Sequence, residues 1–185
     1  MTLALWRVVP LDPRAPQTAP GGALYCPRDL QGSGRHDDPE RYGCLYVAQD
    51  PAAAVAEVLA PFRGSGPLRE PMLQRAGRPL VLAALGGDDQ LDLLDLDDPA
   101  VLQAESLRPS QVATRHRPAT QKLARDLFAA HPGVHGLRWW STLEASWINV
   151  TLFDRAIPRV FVDSTTPLTP DLPAVMDAAE LLGLT

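Results

Sequence analysis

Residues 10–42 constrain the fold more than any other part of the chain. The segment is rich in Pro, Gly, Asp and Arg, and it shows no hydrophobic period. It separates an apolar strand at 3–9, "LALWRVV", stopped by Pro10, from a second strand at 43–48, "GCLYVA". A loop of this length inside a compact domain is usually functional or mobile. Asp50 then caps a helix that starts at Pro51. Its apolar positions Val55, Val58, Leu59 and Phe62 fall at i, i+3, i+4 and i+7, so that face is buried. Pro61 ends the helix, and Gly64 and Gly66 mark the exit.

Further strands are predicted at 78–87, 134–141, 146–153 and 159–163. An amphipathic helix is predicted at 118–133, with Leu123, Leu127 and Ala130 on one face and Thr120 in its first turn. Residues 99–106 read as a short helix. A last helix at 169–183 has Thr169 as cap and Pro170 at its first position. Strands interrupted by two or three helices, without regular βα alternation, predict a mixed α+β domain rather than a doubly wound sheet. A length of 185 residues suits one domain over 1–185, its core at about 3–163 and the C-terminal helix beyond it.

The net charge of −5 argues against a chain that coats nucleic acid, which needs a basic excess. It leaves room for a local basic pocket. The basic residues are arginines with one exception, Lys122, a bias that a GC-rich genome explains. Cys26 and Cys44 form no CxxC pair and have no His at zinc-like spacing, so reduced thiols are expected, with a single disulfide as the alternative. No metal site is expected. The start "MTLALWRVVP" is no signal peptide, and no apolar stretch is long enough to cross a bilayer. A cytoplasmic chain without membrane contact is expected.

The usual chemical signatures are missing. There is no Walker loop, no HExxH and no G-x-S-x-G. "GSGRHD" (32–37) lacks the third glycine and the strand-to-helix context of a dinucleotide fingerprint. The acidic run at 88–98 does not match a calcium loop and reads as a strand with a solvated acidic edge. His36, His116, His131 and His135 are scattered and read as surface or loop residues.

Five polar residues stand where apolar ones are expected: Arg7, Arg35, Tyr46, Glu57 and Ser141. Each has a plain structural explanation. Arg7 fits the solvent side of a half-buried strand. Tyr46 fits a core position with its hydroxyl bonded to backbone, Glu57 the edge of an apolar stripe, and Ser141 a turn.

Taken together they resemble a family. "LWRV", then Gly34-Arg35, "LYVA", a helix with Glu eleven residues after the Tyr (57 − 46 = 11), "GLRWWS" and "NVTLF" follow in order. This series is similar to the RES-domain proteins, bacterial toxins usually encoded beside an Xre-type antitoxin. The name-giving Arg, Glu and Ser correspond to Arg7, Glu57 and Ser141. The family's strand Tyr falls on Tyr46 and its loop G-R on Gly34-Arg35. Thr120-Gln121 also match. The family's usual G-R-W-N-P is replaced by Gly34, Arg35, His36, Asp37, Asp38, Pro39.

The resemblance implies a small split β-sheet with flanking helices, like that of ADP-ribosyltransferases, with NAD⁺ in the cleft as substrate and no further cofactor. It implies NAD⁺ consumption by hydrolysis or phosphorolysis. The alternatives are ADP-ribose transfer to a protein, and a binding domain that has lost activity. Cleaving the nicotinamide bond develops oxocarbenium charge on the ribose, which a carboxylate such as Glu57 can stabilise. The pyrophosphate suits Arg fork geometry, with Arg7 first and Arg35 second. Tyr46 would stack on nicotinamide or bond the ribose, and Ser141 would bond a phosphate or the nicotinamide amide. A helix-turn-helix antitoxin is the implied partner, and this chain itself would not contact DNA. Oligomeric state stays open, a homo-oligomer included.

Overall fold

The computed structural model describes residues 3–185. Eight strands form one mixed sheet. They are β1 (Leu3–Pro10), β2 (Cys44–Ala48), β3 (Gln74–Arg75), β4 (Arg78–Gly87), β5 (Leu93–Asp95), β6 (Gly136–Trp140), β7 (Ile148–Phe153) and β8 (Val160–Pro167). The order is β3-β4-β1-β2-β7-β6-β5, and β8 pairs with β4 beside β3. All pairings are antiparallel except β5 with β6.

The sheet is nearly two sheets. β1 pairs with β4 along its whole length, from Leu3 with Gly87 to Pro10 with Leu80. β2 pairs fully with β7, from Cys44 with Phe153 to Ala48 with Asn149. Between the halves, β1 and β2 share only Trp6 with Ala48. This is the split sheet that the resemblance implied. An unpaired strand edge inside a domain leaves backbone groups that need partners. The aperiodic segment supplies them. The Gln31 amide takes the place of a neighbouring strand, accepting from the Cys44 N–H at 2.7 Å and donating to the Cys44 carbonyl. Arg7 on β1 donates through Nη1 to the carbonyls of Ala23 at 2.6 Å and Tyr25 at 3.1 Å. Residues 23–31 therefore act as a fixed wedge.

Five helices flank the sheet: α1 (Pro51–Leu59), α2 (Pro99–Ala104), α3 (Pro109–Ala113), α4 (Arg117–Ala130) and α5 (Pro173–Leu182). Asp50 caps α1 as expected, its carboxylate accepting from Ala52 N at 2.7 Å and Ala53 N at 3.1 Å. The buried face of α1 is wider than its apolar spacing suggested. Ala52 to Ala56 and Leu59 are all buried, because α1 is sandwiched between the sheet and α5. Alanines allow that close approach, and the two larger enclosed side chains, Val55 and Leu59, contribute about 1.5–3 kcal/mol each. Glu57 is the exposed exception.

Several boundaries differ from expectation. α5 begins at Pro173, not Pro170, and Leu172 occupies the cap position. Both prolines suit a first helical position. Thr169-Pro170-Asp171 instead forms a turn closed by Leu172 N donating to the Thr169 carbonyl at 3.1 Å. Gly183 ends the helix in the left-handed region at φ 66°. On α4, Ala130 is exposed and Ala124 takes its place in the core beside Leu123 and Leu127. β8 runs four residues past the expected end, to Pro167. α3 and β3 had no sequence signal. No helix among the described residues is long and apolar enough to cross a membrane.

Candidate functional site

The gap between β1 and β2 opens into a pocket of about 370 Å³. Its walls come from β1, β2, α1, the segment 27–35, the start of α4, and β6 with β7. Arg7, Arg35, Tyr46 and Glu57 all line it. Ser141 does not; it is buried directly behind Glu57.

Glu57 reaches the pocket from the second turn of α1. Its Oε1 accepts two hydrogen bonds, from Ser141 Oγ at 3.0 Å and from Asn149 Nδ2 at 2.7 Å. Ser141 is itself fixed, since its Oγ accepts from Leu143 N at 3.1 Å and its N–H donates to the Trp147 carbonyl at 2.7 Å. Oε2 has no protein partner among the described residues. The acid is thus oriented by two donors on one oxygen, with the other oxygen available.

Arg7 bonds the protein only through Nη1, and no carboxylate lies within 4 Å of it among the described residues. Burial pulls its pKa down to about 10, so it remains a cation at neutral pH. A partly enclosed cation whose only neighbours are carbonyl dipoles is a ready anion site. Arg117, at the first position of α4, adds a second cation at the rim and likewise makes no ion pair among the described residues. Neither spacing nor composition singled it out.

Arg35 is more committed than the sequence suggested. It is buried, its Nη1 donates to the carbonyls of Val112 and Thr114 at 2.9 Å each, and its guanidinium lies 4.6 Å from the Trp139 ring centre. It therefore ties α3 to the pocket wall. Burial and the nearby Arg117 lower its pKa.

Tyr46 is committed too. Its hydroxyl donates to Asp37 Oδ1 at 2.7 Å and accepts from His36 N at 2.9 Å. Burial holds the phenol well above its ordinary range, so it is neutral. Asp37 Oδ2 accepts from the N–H groups of Gly32 at 2.8 Å and Gly34 at 2.7 Å. Gly34 is required here by close approach. A Cβ would lie 2.5 Å from Asp37 Oδ1 and 2.6 Å from the Tyr46 oxygen. The Thr120-Gln121 pair closes the same unit. Thr120 Oγ1 donates to the Arg35 carbonyl at 2.6 Å, and Gln121 Nε2 donates to the carbonyls of Gly32 and Gly34 at 3.0 and 2.9 Å. The short motifs in the sequence thus hold one another.

One histidine departs from expectation. His36 lies in the loop, as expected, but its side chain is buried rather than on the surface. Its Nδ1 bonds Thr151 Oγ1 at 2.8 Å, and its ring meets Trp139 edge-on at 5.4 Å. Trp139 Nε1 donates to the same Thr151 oxygen at 3.1 Å. Burial and Arg35 push the His36 pKa down to about 3, so the ring is uncharged. Asp38 is buried as well and pairs with Arg125 at 2.7 Å. The stretch His36-Asp37-Asp38, which departs from the family pattern, is buried behind the pocket wall and braces it through Tyr46, Thr151 and Arg125.

Asn149, Thr151 and Trp139 were not singled out by sequence reasoning. The available signal was in β7, where Asn149 and Thr151 stand at i and i+2 and so share one face of an otherwise apolar strand. The cysteines are free, with Cys44 buried and its thiol pushed up by burial. No cluster of metal-binding side chains occurs among the described residues.

A family model described as "RES domain" matches residues 4–177. No curated protein matches the sequence. Among solved structures, a chain in the crystal structure of the M. tuberculosis MbcT-MbcA toxin-antitoxin complex is similar. The TM-score is 0.67 at 17% identity, over 99% of this chain and 90% of that one. At that identity the likeness speaks for the fold alone, a mixed α+β architecture.

Proposed function

The chain belongs to the RES-domain family, and on that premise we propose that it is the toxin of a bacterial toxin–antitoxin pair and consumes NAD⁺. The whole of residues 1–185 acts as one NAD⁺-binding unit in this reading. One observation carries it: a carboxylate fixed through a single oxygen, Glu57, shares a pocket with a cation, Arg7, that has no acidic partner among the described residues.

Arg7 takes the pyrophosphate, and Arg117 adds to the positive field at the mouth. The free oxygen of Glu57 faces the ribose. The bond between ribose C1′ and the nicotinamide nitrogen breaks, and its electron pair passes to the cationic ring, which leaves neutral. Positive charge develops on the sugar, and the Glu57 carboxylate stabilises it. Water, or phosphate, then adds at C1′ and releases a proton. No strong acid is needed for this leaving group. Tyr46, Arg35, Thr120 and Gln121 contribute by holding the wall rigid, which fixes geometry before substrate arrives.

The implied partner is an Xre-type helix-turn-helix antitoxin that covers the pocket mouth and makes the DNA contacts. The compartment is the cytoplasm, where NAD⁺ is found. The test is incubation of the purified chain with NAD⁺, with and without phosphate, followed by mass spectrometry. Nicotinamide with ADP-ribose, or with its 1-phosphate, is the expected result and names the acceptor. A protein that gains the mass of ADP-ribose while no free ADP-ribose appears would move the assignment to protein transfer. Intact NAD⁺ with all partners present would overturn it.

A further inference from the structure

Two donors converge on one oxygen of Glu57, and they differ in kind. Ser141 is buried and lies outside the pocket. Asn149 lines the pocket and is 4% exposed. Its strand position is rigid, because Asn149 pairs in register with Ala48 on one side and Trp139 on the other. Its Nδ2 contact with Glu57, at 2.7 Å, is the shorter of the two. The amide has two faces of opposite polarity. Nδ2 can only donate and Oδ1 can only accept, so the bond to the carboxylate fixes which end points at Glu57.

We propose that Asn149 is the positioning residue that makes Glu57 effective, and that Ser141 is the second, backing support. The proposal rests on the reading of Glu57 as the acid beside the ribose. A carboxylate on a helix has several accessible rotamers; donors from β7 and from the end of β6 select one. They occupy Oε1 and so present Oε2 to the pocket. They also require Oε1 to be an acceptor. Asn149 touches Glu57 and acts through it, so its loss removes stabilisation realised only as charge develops on the sugar. Binding of NAD⁺, carried by the arginines, is left nearly intact.

The experiment compares Asn149→Ala, Asn149→Asp and Ser141→Ala with the parent chain, across pH 5 to 8. For Asn149→Ala, kcat should fall about 10- to 100-fold with KM within about twofold, the range for losing one hydrogen bond to a charged group. Ser141→Ala should fall less in kcat than Asn149→Ala. Asn149→Asp is the discriminating variant. At pH 8 it sets two carboxylates against each other and should be slower than Asn149→Ala. Toward pH 5 a shared proton restores a donor, so its activity relative to the parent should rise. A structural role alone gives equal, pH-independent losses for both substitutions, and that result overturns the proposal. So does a rise in KM with kcat unchanged.

A second readout needs no turnover. The Asn149 side-chain amide resonance, assigned by its absence in Asn149→Ala, should move in Glu57→Gln more than any other side-chain amide. If it does not move, the contact is not made in solution and the proposal fails. If the amide shift appears while the parent leaves NAD⁺ intact, the geometry stands and the assigned reaction is what fails.

Discussion

Tyr46→Phe removes one oxygen and leaves the ring. That oxygen makes two bonds, as donor to Asp37 Oδ1 at 2.7 Å and as acceptor from His36 N at 2.9 Å. Losing a hydrogen bond to a carboxylate costs about 1.5–3 kcal/mol. The His36 N–H has no second acceptor among the described residues and belongs to a buried residue, which adds about 1 kcal/mol or more. The remaining Asp37 bonds to Gly32 and Gly34 soften the loss. The total is about 3 kcal/mol, a lowering of Tm by about 6–12 °C for a chain of this size. Tyr42→Phe is the internal comparison. Its hydroxyl donates to the His36 carbonyl at 3.0 Å, but that carbonyl also accepts from Cys44 Sγ at 3.3 Å, so the loss should be nearer 1 kcal/mol. Thermal unfolding followed by circular dichroism measures both. A Tyr46→Phe midpoint within about 1 °C of the parent would refute the account of Tyr46 as the anchor of the 32–38 loop.

Glu57→Gln keeps an acceptor for Ser141 and Asn149, so Tm should stay within about 2 °C while NAD⁺ consumption falls by about 100-fold or more. Purified variant and parent are compared by nicotinamide release. Arg7→Lys should raise KM for NAD⁺ more than it lowers kcat, because a point charge replaces the fork, and initial-rate kinetics separate the two. His36 predicts acid sensitivity. Its folded pKa, near 3, lies below the unfolded value near 6.5, so the unfolded chain binds the extra proton. Its contribution to stability is fully present above pH 6.5 and is lost as pH falls toward 3. Denaturant midpoints of the parent should drop through that window more steeply than those of His36→Asn.

The parts of the fold that were legible in the sequence are those set by neighbours in the chain. Asp50-Pro51 is a cap and a first helical residue whatever surrounds it, and α1 starts there. The start of α5 was misplaced for the complementary reason. Pro170 and Pro173 carry equal local signals, and only the packing of Ala174, Val175 and Ala178 against α1 decides between them. The site divides in the same way. Arg7, Arg35, Tyr46 and Glu57 were found because each is a polar side chain in an unexpected local setting, and the pocket gathers all four. What each one does there depends on partners far along the chain. Arg35 is spent on carbonyls 77 and 79 residues away, and Glu57 is oriented by residues 84 and 92 away.

The aperiodic segment links fold to site. A sheet paired along both edges of β1 would have no gap and hence no pocket. Keeping β1 and β2 apart leaves polar edges that must be satisfied inside the domain. Gln31 satisfies the Cys44 edge, and Arg7 ties down the carbonyls of Ala23 and Tyr25 in the inserted segment. Arg7 therefore has two tasks in one side chain. Through Nη1 it anchors the wedge, and through its remaining nitrogens it presents charge to the pocket. A substitution there should cost stability and ligand affinity together, whereas Glu57→Gln, which keeps an acceptor for Ser141 and Asn149, costs chemistry alone.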